Sequence, residues 1–167
     1  MVYRAIGVWD DQIGTTIVFS EFLENAGSWS FEIKAEKSLL SDNADQGKLI
    51  NQFIEEKGLQ FKVALISIHS EKAEKIIDGG AVAAKTNLPV ISDLTSMDKA
   101  LGGSEEFFIS SAAKLQIPDG QLSLLNKAVC VAFMGILRWR EEYNFLSSVT
   151  GASRNSIGGA LWMGQEA

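Results

Sequence analysis

From Ala128 to Leu137 the chain reads Ala-Val-Cys-Val-Ala-Phe-Met-Gly-Ile-Leu, apolar almost all round. A helix over such a run has no wet face, so it must be buried on more than one side. It is too short to cross a bilayer, which takes about 20 apolar residues. The chain therefore has to build a core that surrounds this helix. Its 167 residues suit one domain, since domains usually run to about 100–150 residues. The full helix candidate extends from about Asp119, which caps it after Pro118, to Tyr143. It serves as a core helix or as a core helix that also forms a subunit interface.

The elements that would pack on it are legible upstream. Residues 3–8 and 15–20 are β-branched and aromatic runs around Asp10-Asp11-Gln12-Ile13-Gly14, which predicts a hairpin. Trp29, Phe31, Ile33 and Ala35 alternate with Ser30, Glu32 and Lys34, so a third strand has one buried face. Leu49/Phe53 and Ile50/Ile54 are i,i+4 pairs on one helix face, with Gly58 as the stop. Lys62 to Ile68 is a nearly continuous apolar strand, typical of a buried parallel position. A short helix from about Ala81 to Thr86 and a strand over Pro89 to Ser92 follow. The order β-β-β-α-β-α-β predicts an α/β, ribonuclease-H-like lobe: a mixed five-stranded sheet with a long C-terminal helix. No internal repeat, low-complexity tract or linker divides the chain, so residues 1–167 are expected to form a single domain.

Composition narrows the function classes. Apolar residues at 46% and charged residues at 22% are those of an ordinary globular protein. A net charge of −6 argues against nucleic-acid and anionic-membrane partners, which want a basic face. Cys130 lies in the apolar run and reads as a buried structural thiol. One His and one Cys leave no zinc constellation, so no metal site is expected. Met1-Val2-Tyr3-Arg4 has no signal-peptide character, which predicts a cytoplasmic address.

Three blocks carry a family resemblance. The tail reads Asn144-Phe145-Leu146-Ser147-Ser148-Val149-Thr150-Gly151-Ala152-Ser153, followed by Gly158-Gly159. Asp78-Gly79-Gly80-Ala81 runs on to Asn87-Leu88-Pro89-Val90-Ile91-Ser92-Asp93, and then come Asp98, Ala100, Leu101, Gly102 and Gly103. Gly47 to Ile54 matches a first long helix. Together these blocks resemble the anhydro-N-acetylmuramic acid kinases, two-lobed enzymes of the sugar-kinase and actin type that phosphorylate a peptidoglycan-derived sugar with ATP. The resemblance implies that residues 1–117 are lobe one, joined directly to the terminal crossing helix and tail, 118–167.

The chain departs from that family where its chemistry lies. Gly7, Asp10 and Asp11 stand in the phosphate-binding turn, where two carboxylates would repel a triphosphate. The family's central D-T-G-P-G-N segment, which supplies the catalytic carboxylate, is missing. Ser104 to Ser110 replace the small residues of the sugar pocket. His69, Asp78, Asp93, Asp98, Gly102 and Gly103 are what the resemblance leaves of a substrate pocket, with no catalytic residue among them. The expectation is a non-catalytic kinase relic, a pseudokinase of peptidoglycan recycling, working as an assembly protein without cofactor. Its partner would be a second copy or a kinase-related chain, and Phe107, Phe108, Trp139 and Trp162 are candidates for the covered surface. The alternative is an Mg-ATP-dependent anhydro-sugar kinase lobe completed by another chain, or a binder of peptidoglycan-derived sugars.

Overall fold

The acidic turn after the first apolar run does close a hairpin. In a computed structural model, which describes residues 1–40, 45–72, 77–118 and 122–164, the Asp11 carboxylate accepts the backbone N–H groups of Ile13 and Gly14. That turn joins β1 (Val2–Asp10) to β2 (Thr15–Asn25), paired antiparallel with Val8 opposite Ile17. Ala26 and Gly27, both at positive φ, make the tight turn into β3 (Ser28–Leu39).

A bulge in β3 changes the expected alternation. The β2–β3 register shifts between Phe19 and Ser20: Ser20 faces Ile33, Phe19 faces Ala35, and Lys34 is the extra residue. Trp29, Phe31 and Ile33 pack in the core on one face of the sheet, whereas Ala35 packs in the core on the other. The strand thus has no single buried face.

The chain next forms α1 (Gln46–Glu56), capped by the Asp45 side chain and ended before Gly58 at φ +65°. It crosses to β4 (Leu65–Ser70), parallel to β1, then runs through α2 (Gly79–Thr86) to β5 (Val90–Ser92), parallel to β4. Short helices α3 (Ser96–Ala100) and α4 (Phe108–Lys114) lead to the long helix α5 (Leu124–Trp139). After α6 (Ser147–Thr150), the tail returns as β6 (Ala160–Trp162), antiparallel to β5. The sheet is therefore mixed and six-stranded, ordered β3-β2-β1-β4-β5-β6, with one strand more than expected.

Helix α5 lies on one face of the sheet against β1, β2 and β4, and α1 and α2 cover the other. Burial of β4 on both faces explains its continuous apolar run: Leu65 joins the α5 side, while Ile66 and Ile68 join the α1 side. Two glycines let α5 approach closely. A Cβ on Gly7 of β1 would collide with the Ala128 carbonyl oxygen and lie 2.9 Å from the Ala132 Cβ. One on Gly135 of α5 would lie 2.5 Å from the Ser67 Cβ. Residues 128–137 of the helix are all buried, and burial pushes the Cys130 thiol up to about 12, far from a nucleophile's range. The helix is shorter than the 119–143 expectation because the Ser123 side chain caps it, accepting from the Asn126 N–H. Asp119 lies outside the described residues. Among the described residues, no helix is long and apolar enough to cross a membrane.

Candidate functional site

Strands β1, β4 and β5 run parallel, so their C-terminal ends open at one edge of the sheet, where ligands bind in open α/β folds. Two adjoining cavities lie there. The larger, about 500 Å³, is lined by His69 and Ser70 of β4, by Ser92 of β5 and Asp93, Thr95 and Ser96 after it, and by Trp162 of β6. The smaller, about 360 Å³, lies between β4 and the loop Ser104–Phe108. They share His69, Ser70 and Thr95, so together they form one cleft.

His69 stands at the junction. Its Nε2 lies 2.8 Å from Glu71 Oε1, its ring stacks on Trp9 at 5.4 Å, and the Phe107 ring meets it edge-on at 5.2 Å. The hydrogen bond with His69 lowers the Glu71 carboxyl more than burial raises it, so the group sits below its ordinary value. The Lys127 ammonium, near the N-terminus of α5, lies 5.2 Å from the Trp9 ring centroid. Trp162 also lines the larger cavity: its Nε1–H donates to Ser92 Oγ at 3.1 Å, and the residue is 44% exposed. Gly79 makes room for that ring, since a Cβ there would lie 2.6 Å from Trp162 Cδ1.

Of the residues expected to form a substrate pocket or phosphate turn, His69 and Asp93 alone line the cleft; Phe107, Phe108 and Trp162, expected on a covered surface, line it as well. Asp78 caps α2, accepting from the Ala81 N–H at 3.0 Å. Asp98 is fully buried: its carboxylate accepts from Thr150 Oγ1 at 2.7 Å and from the Glu105 N–H at 2.9 Å. Gly102 supplies a turn at φ +84°, and Gly103 packs on the Asp98 carboxylate. Gly7 seats α5, and Asp11 shapes the hairpin turn. Desolvation raises the Asp11 carboxyl, but hydrogen bonds from Ile13, Trp9 and Gly14 outweigh it and leave the group below its ordinary value. Phe107 is buried in the core. Replacing Asp98 with alanine leaves the Thr150 hydroxyl and the Glu105 N–H without their acceptor, so we expect a loss of about 2–4 kcal/mol by urea unfolding. A cost under about 1 kcal/mol would show that the tail is held elsewhere.

Asp10, at the end of β1, tests whether the cleft fits a metal centre for phosphoryl chemistry, which needs converging carboxylates. It is fully buried, accepts from Thr15 Oγ1 at 2.8 Å and Ser70 Oγ at 3.0 Å, and lies 3.4 Å from Lys72 Nζ. Among the described residues, no group of three or more His, Cys, Asp or Glu could hold a metal ion. The described residues do not fit such a centre.

A mixed sheet of three antiparallel strands continued by parallel strands, with helices on both faces, defines an α/β fold of the ribonuclease-H-like class. Among solved structures the chain is similar to that of RuvC from Thermus thermophilus, with a TM-score of 0.54 and 12% identity over 93% of this chain and 100% of that one. It is also similar to T. thermophilus RuvC in complex with Holliday junction substrate, at a TM-score of 0.48 and 12% identity over 84% and 96%. No protein-family model matches the sequence, and no curated protein does. At this identity the likeness shows the fold alone.

These findings correct several expectations. The two solved structures named above are of RuvC and not of a sugar kinase, so the kinase resemblance does not stand. With it fall the pseudokinase relic, the peptidoglycan-recycling role, the completed kinase lobe and the sugar binder. The tail string that carried the resemblance has structural work of its own. Thr150 binds Asp98, Gly151 ends α6 at φ +77°, and the Asn144 amide bonds to Met134 and Gly158. The exclusion of nucleic acid from net charge is not upheld either: the fold is similar to that of RuvC, a protein solved with a Holliday junction substrate. Neither a homodimer nor a kinase-related partner chain finds support.

Proposed function

We propose that this chain binds nucleic acid by taking an unpaired base into the cleft beyond β4 and β5, and does not cut it through a carboxylate-held metal centre. The observation that carries this reading is the larger cavity itself: a half-exposed indole, Trp162, on one wall, with His69 and hydroxyl groups among its other lining residues. Base–aromatic stacking contributes about 1–3 kcal/mol per base and suits any base face. The likeness of the fold to RuvC adds an analogy only. A cytoplasmic address belongs to the same proposal.

The charge of the cleft decides which part of the ligand is held. Glu71, Asp93, Glu105 and Glu106 line it against Lys72, and Lys72 is already beside Asp10. Phosphates are repelled there, so the base enters and the backbone stays outside. Fluorescence anisotropy with labelled single strands, duplexes and four-way junctions tests this. Ligands with unpaired bases should bind best, and their affinity should fall only shallowly with salt, as for about one phosphate contact or fewer. Trp162→Ala should weaken binding by about tenfold or more. Equal binding of duplex and single strand, or a steep salt slope, would overturn the reading.

A further inference from the structure

Asp93 closes β5 in a conformation that ordinary side chains avoid, with φ at +53°. Its neighbours show what that conformation achieves. Ser92 points to the cleft side, where its Oγ accepts from Trp162. An extended residue after it would point to the opposite face, into the core beneath α5. Leu94 enters that core instead and is fully buried, while Asp93 stays exposed on the cleft wall. The Ser96 hydroxyl donates to Asp93 Oδ1 and fixes the carboxylate, and Oδ2 has no partner among the described residues. A carboxylate held in strained backbone beside an aromatic wall is a built feature of the cavity.

Among the described residues, no lysine or arginine lines this larger cavity. A carboxylate without a cation beside it accepts hydrogen bonds only, so the edge that meets it must donate. Among the common bases, only guanine carries two adjacent donors on its pairing edge, N1–H and the N2 amino group, which match the two oxygens of one carboxylate. Adenine and cytosine each set one amino donor beside a ring acceptor, and that acceptor would face an anion. Uracil and thymine flank their one N–H with carbonyl oxygens. We propose that the cleft selects guanine, read by the Asp93 carboxylate while the purine lies against Trp162. This rests on the base-binding reading above and adds the identity of the base.

The experiment compares short oligothymidylates carrying one central guanine, hypoxanthine, adenine or cytosine, by anisotropy on the full chain. The guanine strand should bind about tenfold or more tighter than the adenine and cytosine strands. Hypoxanthine, which keeps N1–H and lacks the amino group, should fall between them. Asp93→Asn should erase the guanine preference by weakening the guanine strand, while the adenine strand, whose ring acceptor no longer meets an anion, binds at least as tightly as before and the thermal melt stays near wild type. Equal binding of all strands, with a loss on Trp162→Ala, overturns the guanine assignment and leaves base binding standing. Absence of binding to every strand overturns both, and a preference that survives Asp93→Asn removes Asp93 from the assignment.

Discussion

Replacing Gly7 with alanine should lift α5 off the sheet. The added methyl would meet the Ala128 carbonyl oxygen, a backbone atom that no rotamer change can move, with the Ala132 Cβ close behind at 2.9 Å. Overpacking of this kind costs about 1–3 kcal/mol and more when backbone must shift. We expect about 3 kcal/mol or more, read as a fall in the urea midpoint with little change in slope. Gly27→Ala is the matched control. Nothing lies within 4 Å of a Cβ there, so only the strain at φ +83° acts, about 1 kcal/mol. Similar losses in the two variants would mean that the helix seats on β1 less tightly than described.

Phe133→Ala should be the most costly truncation in the α5 core. The ring is fully buried, stacks on Phe22 at 6.1 Å and meets Trp29 edge-on at 5.0 Å. A phenylalanine removed from such a site costs about 3–5 kcal/mol, because the transfer term and the cavity term add. Trp29 reports locally, so its near-ultraviolet circular dichroism should weaken in the variant while the helical signal of the folded fraction persists. A loss under about 1.5 kcal/mol would indicate that the neighbours collapse into the space.

The sequence exposes the elements whose signals are local. The Leu49–Ile54 stripe, the alternating β3 residues and the continuous Val63–Ile68 run announced α1, β3 and β4, and the apolar girth of residues 128–137 announced a helix buried all round. Three-residue β6 has no periodicity to show, and its pairing with β5 joins residues some seventy positions apart, as Val90 and Trp162 are. The Lys34 bulge is equally silent, because alternation looks continuous on paper while the partner strand shifts register. Site residues were misjudged for the same reason. Asp93 and Asp98 look alike in the sequence, yet one faces the cleft and the other binds Thr150 in the interior, a contact spanning 52 positions. The tail string looked like a functional signature because turns and close contacts also demand particular small residues, as at Gly158 against Phe145.

The Lys34 bulge has a thermodynamic consequence. On β3 it hands Trp29, Phe31 and Ile33 to the α5 layer and Ala35 to the α1 layer. On β2, Val18 and Phe22 go to the first and Ile17 and Phe19 to the second. Neither layer can melt while the other keeps its strands, because each hairpin strand is anchored in both. Heat should therefore dissolve the two apolar layers in a single cooperative event, with calorimetric and van't Hoff enthalpies that agree.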